Sequence, residues 1–408
     1  MPAAFAGASD VCGYQRPLRV PATLRCGAGK LGTVTHGETG LEGTRGSMNI
    51  LAIETSCDET AAAIVADGRR IVAQTIASQM QVHARFGGVV PEVASRRHVE
   101  SITAVVAETF ADARLTWADM DAIAVTCGPG LLGALLVGLS AAKGYALATG
   151  LPLIGVHHIA GHVAAALLET DLEPPFLALV VSGGHTELLV VDEGFRFRKL
   201  GGTKDDAAGE AYDKVARMLG LLYPGGPCVD ELAQEGRPDA YAFPRSLIDE
   251  DSFDFSYSGL KSAVNNEITK RRQRGEDVEP ADVCASFQAA VVEVLVEKTA
   301  RAVAATGLRT VVVAGGVAAN SGLRSALTAR ADRDGFLLRM PPLALCTDNA
   351  AMIGAAAYWR AVVGAGEGGT GIMRVRGHDL SLNASATLSL DVWQNGLNCI
   401  REIPLRPR

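Results

Sequence analysis

Three of the chain's 8 histidines, His157, His158 and His162, fall inside one short stretch, Leu153 to Leu168. His158 and His162 are four residues apart, so on a helix they stack one turn apart on the same face. That spacing brings two imidazoles to one metal ion, as in the paired-histidine helices of zincins. The plainer reading is a core helix whose histidines bond to backbone, and the stretch alone leaves both open. A distant carboxylate, Asp348, is either the N-cap of a helix over 345–354, a role it shares with Thr347, or a third ligand beside the two histidines. Asp58 and Glu59 stand in a polar turn and are candidate general bases if that turn faces a cleft.

Elements must position these groups. Ile50–Ile53 reads as a strand, followed by the turn Glu54–Thr60 and a second apolar run, Ala61–Val65. The pattern returns as Leu177–Val181, the turn Ser182–Thr186 and Leu188–Val191. The two hairpins align without a gap, Leu51 on Leu177, Ser56 on Ser182, Thr60 on Thr186 and Val65 on Val191. Ala122–Thr126 enters a Cys-Gly-Pro-Gly turn and a helix from Leu131; Val311–Val313 enters an Ala-Gly-Gly-Val-Ala-Asn turn and a helix from Ser321. The shared order predicts an internal duplication of one α/β lobe. Two such lobes, turns facing, cradle a nucleotide, with the amides of the glycine turns on its phosphate.

Between the hairpins, Leu153–Val156 reads as a strand that feeds the histidine helix. Helices are predicted over Thr203–Leu219 and Asp282–Thr306. Tyr223–Asp230 (YPGGPCVD) combines exposed glycine backbone with an acidic residue suited to a ribose hydroxyl pair. Arg96–His98 and Lys270–Arg274 are basic clusters that read as solvated surface.

The 408 residues predict two or three domains, and 48% hydrophobic with 20% charged residues fits a well-buried soluble protein. With 45 Gly and 5% aromatics the composition leans towards α/β architecture. A net charge of −7 excludes a global nucleic-acid footprint, so an RNA partner needs local patches or other subunits. The 8 Cys form no CxxC pair, which predicts free thiols in a cytoplasmic protein. Leu131–Leu151 is apolar but holds Lys143 and several glycines, so a buried helix is expected there rather than a membrane span. The expected division is a flexible leader over 1–47, an N-terminal lobe over 48–173 completed by a helix over 345–363, a C-terminal lobe over 174–344, and an irregular tail over 364–408. The leader lacks an apolar core segment and reads as an over-called start or an expression remnant before Met48, rather than a targeting peptide.

The motifs IETSCDET, GGVVPEVASRRH, GPGLLGALLVG, HHIAGH, LVVSGGHTEL, DDAAGEAYDKVARMLGL, YPGGP, FSYSGLK, AGGVAAN and CTDNAAM follow one another in order. From Met48 to about Arg360 the chain thereby resembles the bacterial tRNA threonylcarbamoyladenosine transferase family, once called glycoprotease. The resemblance implies the two-lobed α/β fold of actin, Hsp70 and sugar kinases. It also implies transfer of a threonylcarbamoyl group from threonylcarbamoyl-AMP to N6 of an adenosine, with release of AMP. That adenosine lies just 3′ of the anticodon in tRNAs reading codons that begin with A.

The same resemblance puts one divalent metal on His158, His162 and Asp348, Fe2+ by family habit, with Zn2+ also suited to the donors. It assigns Val180, Val181, Ser182, Gly183 and Gly184 to the nucleotide phosphate and acyl-phosphate region. Asp213, Gly226, Asp230 and Asn320 match positions for adenosine and ribose. His157 is expected to support the site or the strand end rather than to ligate. The implied partners are tRNA, a paralogous scaffold subunit (TsaB-like), a small ATPase (TsaE-like) and an enzyme that makes threonylcarbamoyl-AMP. The leader and the segment after Trp359 fall outside the family pattern.

Three rival classes meet specific residues. A metalloprotease needs the glutamate of HExxH directly after its first histidine, and Ile159 stands there. An actin-like ATPase or sugar kinase holds its nucleotide through Mg2+ on carboxylates and water, not through paired imidazoles. A non-catalytic scaffold paralogue has no use for His158, His162 and Asp348 together.

Overall fold

The computed structural model describes residues 47–363 and 381–396; the expected leader, apart from Ser47, lies outside them. Two five-stranded sheets carry the fold. In the first, β1 (Asn49–Glu54), β2 (Glu59–Ala66) and β3 (Arg70–Ser78) form an antiparallel meander. Then β4 (Ala122–Gly128) and β5 (Leu153–His157) extend it in parallel from β1. In the second, β6 (Phe176–Val181), β7 (Thr186–Val191) and β8 (Phe197–Gly202) repeat the meander, and β9 (Thr310–Ala314) and β10 (Leu337–Arg339) repeat the parallel extension.

Read from corresponding edges, the spatial orders β3-β2-β1-β4-β5 and β8-β7-β6-β9-β10 are the same. The register repeats as well. Leu51 pairs with Ile64 and Ile123, while its counterpart Leu177 pairs with Val190 and Val311. A one-residue slip would have turned every side chain to the other face, so the duplication extends to the register. This is the duplicated α/β architecture expected from the sequence.

Successive residues of a strand face opposite sides, and β6 is apolar on both. Leu177, Leu179 and Val181 enter the core of the C-terminal half. Phe176, Ala178 and Val180 join the core built on the first sheet, so that core runs from one lobe into the other. The helix His158–Ala164 lies within it, and all its residues are buried. It packs against helix Ala350–Tyr358 and against β6 and β9. Gly161 permits the first contact, because a Cβ there would sit 2.7 Å from Ile353 Cδ1.

Two expectations need correction. The helix predicted over Thr203–Leu219 begins at Ala208. Thr203 bridges to Phe255, and the Asp205 carboxylate accepts from the Tyr257 amide and from the Ser256 and Ser258 hydroxyls, which ties that segment to a distant loop. The tail, read as irregular, contains a helix at Leu390–Gly396 among its described residues. One aromatic anchor explains it. Trp393 is fully buried, donates Nε1–H to the Gly155 carbonyl at 3.0 Å, and lies 4.3 Å beneath the Arg360 guanidinium.

Among the described residues one helix, Leu132–Thr149, is long and apolar enough to cross a membrane; here it packs on β4 and on helix Pro91–Ala113. Cys57, Cys127, Cys228, Cys284 and Cys346 are not joined in disulfides.

Candidate metal centre and cleft

The β5 strand ends at His157, and the chain turns at once into the helix that carries His158 and His162. His157 caps that helix: its Nδ1 accepts from the Ile159 amide at 3.1 Å, so the proton sits on Nε2 and is donated to the Leu388 carbonyl at 2.9 Å. Burial holds its pKa down near 3, which keeps the ring neutral. It supports the strand end and does not face the other two.

His158 and His162 meet edge to face, ring centres 4.6 Å apart, and both reach Asp348. Asp348 Oδ1 lies 3.5 Å from His158 Nε2 and 3.2 Å from His162 Nε2. The three donor atoms fall within 4.8 Å of one another. The helix cap proposed for Asp348 or Thr347 belongs instead to Asn349, whose side chain accepts from the Met352 amide at 2.9 Å. The next residue does the capping, and the Asp348 carboxylate is free to turn to the imidazoles.

These residues fit a divalent ion. His162 is 1% exposed, its Nδ1 has no hydrogen-bond partner among the described residues, and its Nε2 meets the Asp348 carboxylate. A buried ring nitrogen left without a partner costs free energy. Two nitrogens and one carboxylate oxygen are a common donor set for Zn2+ or Fe2+. Burial alone would lower the His158 pKa, but the Asp348 and Glu54 carboxylates override it and hold it up near 9. A divalent ion held there would compete with a proton for the His158 ring, so binding it would release that proton.

Glu54 is the residue that sequence reading missed. It is fully buried at the end of β1 and faces the back of His158, Oε2 to Nδ1 at 3.3 Å. Its other partners are the Thr126 hydroxyl at 2.6 Å and the Ser56 amide. A carboxylate behind a ligating histidine fixes its tautomer and raises its basicity. Ser56 adds a contact to the same Nδ1 at 3.1 Å. The signal lay in the polar residue that closes an apolar strand and opens the turn, the Glu of IETSCDET.

The sequence profile of the family described as "TsaD: tRNA N6-adenosine threonylcarbamoyltransferase" matches residues 70–355. The chain belongs to this family. A relative of that name from Geobacillus thermodenitrificans is 55% identical over 345 residues, which is 84% of this chain and 96% of the relative. Another from Moorella thermoacetica is 59% identical over 313 residues, 76% of this chain and 92% of the relative. Among solved structures, full-length HypF in a phosphate- and nucleotide-bound form superposes with a TM-score of 0.53 at 17% identity, covering 78% of this chain and 47% of that one. That likeness concerns the fold alone. The family makes the protein a transferase of tRNA modification.

The residues matched to adenosine and ribose in the family come together in the C-terminal lobe. Asp213 Oδ1 accepts from the Gly225 amide at 2.8 Å, at the start of helix Gly225–Ala233, and Gly226 beside it faces open space. Asp230, on the same helix, accepts from the Ser321 amide and hydroxyl, both at 2.8 Å. Asn320 caps helix Ser321–Asp334 and donates to Gln288 at 2.7 Å, and Gln288 donates to Asp230 at 3.0 Å. Gln288 thus ties Asp230 to Asn320. Mid-helix in a run without a motif, it left no sequence signal.

Val180 and Val181 end β6 fully buried, and Ser182 starts the turn above them. Gly183 and Gly184 have nothing within 4 Å of where a Cβ would be. The helix Ala208–Leu219 abuts this turn: a Cβ on Gly209 would lie 2.7 Å from the Ser182 carbonyl. On the facing turn, burial raises the Asp58 carboxyl, with the Asp348 charge adding to the effect. Burial also pushes Glu59 up to about 8; one of its oxygens accepts from Ser78 and the other has no partner.

Proposed function

We propose that the chain transfers the threonylcarbamoyl group of threonylcarbamoyl-AMP to N6 of the adenosine just 3′ of the anticodon, in tRNAs reading codons that begin with A. The observation that carries this reading is the convergence of the buried His158 and His162 on the Asp348 carboxylate, with the open Ser182–Gly184 turn on the C-terminal lobe. The exocyclic nitrogen attacks the carbamoyl carbon of the mixed anhydride, the bond to the phosphate oxygen breaks, AMP leaves, and N6 gives up a proton.

An aromatic amine is a weak nucleophile, so the acyl carbonyl must be polarised and the leaving phosphate neutralised. A divalent ion on His158, His162 and Asp348 supplies Lewis acidity, Fe2+ by family habit and Zn2+ by the same donors. The amides of Ser182–Gly184 and the positive end of helix Ala208–Leu219 suit the phosphate. The Asp213–Gly226 and Asp230–Gln288–Asn320 groups suit the adenosine and ribose of the AMP half. Asp58 and Glu59 are the candidate bases for the N6 proton, Glu59 in the ionised form it takes as pH rises towards 8.

The reaction draws on the cytoplasmic tRNA pool and on a separate enzyme that makes threonylcarbamoyl-AMP. The reading includes a paralogous scaffold subunit (TsaB-like) and a small ATPase (TsaE-like) as partners. Single-turnover transfer from labelled threonylcarbamoyl-AMP to tRNA, with purified partners, tests it. The wild type is expected to label N6 and His158→Ala to fail. Equal labelling by both would remove the metal centre from the chemistry, and no labelling by the wild type would remove the substrate assignment.

A further inference from the structure

A second buried histidine pair lies behind the Ser56–Glu59 turn, outside the metal centre. His83 and His98 are both fully buried, and Gln79 between them is 5% exposed. Hydrogen-bond direction along this row is fixed from both ends. At one end the Val90 amide donates to His83 Nδ1 at 3.3 Å, so His83 carries its proton on Nε2. That proton goes to Gln79 Oε1 at 3.2 Å, which orients the amide. At the other end the Cys57 carbonyl only accepts, so His98 Nε2 must donate to it at 2.9 Å. His98 Nδ1 is then an acceptor, met by the Thr60 hydroxyl at 2.8 Å and by Gln79 Nε2 at 3.3 Å. The two independent assignments agree at Gln79.

We propose that Gln79, His83 and His98 form a directional relay that positions the Ser56–Glu59 turn against the metal centre and ties it to the opposite lobe. On the turn side, His98 holds the Cys57 carbonyl and the Gln79 main-chain N–H donates to the Asp58 carbonyl at 3.0 Å. The neighbouring residue, Ser56, touches His158 Nδ1, and Asp58 and Glu59 are the candidate bases. On the far side, the Phe86 and Gly88 amides fold back onto the His83 carbonyl, and the Gly87 carbonyl between them accepts from Arg217 Nη2 at 2.6 Å. Arg217 belongs to helix Ala208–Leu219, whose first turn abuts Ser182 and Gly183. One row of bonds therefore joins the helix under the phosphate turn to the acid-bearing turn of the other lobe. Gln79, His83 and His98 act through their neighbours and are positioning residues, not catalytic ones. The catalytic consequence rests on the function proposed above; the relay itself does not.

Amide hydrogen exchange of the metal-free full-length chain, read at peptides covering 54–60, tests the relay without substrate or cofactor. His98→Asn cannot reach Cys57 and is expected to speed exchange there by about tenfold, the order set by one lost buried bond. His98→Gln keeps a donor at nearly the same point and is expected to restore protection. Arg217→Ala, at the far end, should speed exchange in 54–60 as well as in 80–90, by roughly threefold. Faster exchange in 54–60 with Arg217→Ala confirms the tie; no change there overturns it. Identical exchange in His98→Asn and His98→Gln overturns the directional role. In the transfer assay, variants that keep the wild-type melting temperature should lower kcat with the KM for tRNA unchanged. A wild type inactive in transfer would strike the proposed function and leave the exchange result standing.

Discussion

The two hairpin turns occupy equivalent places in a duplicated scaffold and present opposite chemistry. Ser56 and Thr60 align with Ser182 and Thr186, so Cys57, Asp58 and Glu59 stand where the second lobe has Gly183, Gly184 and His185. Both threonines hold the following helical layer, Thr60 through His98 and Thr186 through the Ala208 amide at 2.8 Å. Between those anchors one turn offers carboxylates and a thiol, the other two glycines and a histidine. Duplication supplied two matched mounts, and divergence of three residues lined one with titratable side chains and left the other open at its glycines, which under the proposed function suits one to a proton beside a metal and the other to an anion.

The largest effect that would sharpen this contrast is loss of the metal. His162→Ala deletes one of the three candidate ligands, and the purified protein is expected to bind Co2+ more than about a hundredfold more weakly. Glu54→Gln leaves the ligands and changes only the group behind His158, so roughly a ten- to hundredfold loss is expected. Metal titration followed by the Co2+ visible spectrum reads both. Wild-type affinity in His162→Ala would break the comparison at its root, because the acid-bearing turn would then flank no metal.

A smaller effect separates glycines needed for the fold from those needed for a ligand. Gly130 has φ +157°, and a Cβ there would lie 2.6 Å from the Ser56 carbonyl. Gly315, at φ +95°, would press a Cβ into the Val181 carbonyl. Each buttresses one of the two turns, and Ala at either is expected to destabilise by about 2–3 kcal/mol in urea melts. Gly184→Ala meets open space and is expected to leave stability within about 0.5 kcal/mol while weakening nucleotide binding by roughly tenfold. A destabilised Gly184→Ala, or one with full nucleotide affinity, would show that the bare turn is structural.

The sequence made the scaffold legible because its signals are local. Short apolar runs around Leu51 and Leu177 define strands, and a gap-free match carries the register with it. The histidine pair and the glycine turns were legible for the same reason, since their chemistry is packed into a few residues. Glu54 and Gln288 were not. Glu54 reads as the last residue of an apolar strand, and only the arrival of Thr126 and His158 from other elements makes it a metal-site carboxylate. Gln288 is one polar residue in a long buried helix, and its role appears when Asp230 and Asn320 reach it from two other helices. The Trp393 helix escaped because a single anchor leaves no period.

The smallest effect concerns the titrating residues at matched positions, Glu59 and His185. Burial acts on both first, raising Glu59 from 4.5 to about 8 and lowering His185 from 6.5 to about 4, the latter aided by His158 and His162. Each turn therefore presents a neutral group near pH 7, by opposite routes. The signs follow. Glu59 stabilises fully below pH 4.5, and that contribution is lost as pH rises towards 8, because the unfolded chain ionises first. His185 stabilises above pH 6.5, and its contribution is lost as pH falls towards 4. Urea midpoints of Glu59→Gln should thus gain on the wild type by about 1–2 kcal/mol between pH 5 and pH 8. Those of His185→Gln should gain by a similar or smaller amount between pH 7 and pH 5. Parallel rather than opposed pH trends would mean that the two turns do not share an environment, and that the matched backbone fixes position without fixing burial. Unchanged single-turnover transfer by Glu59→Gln would, separately, remove Glu59 as the base and leave Asp58.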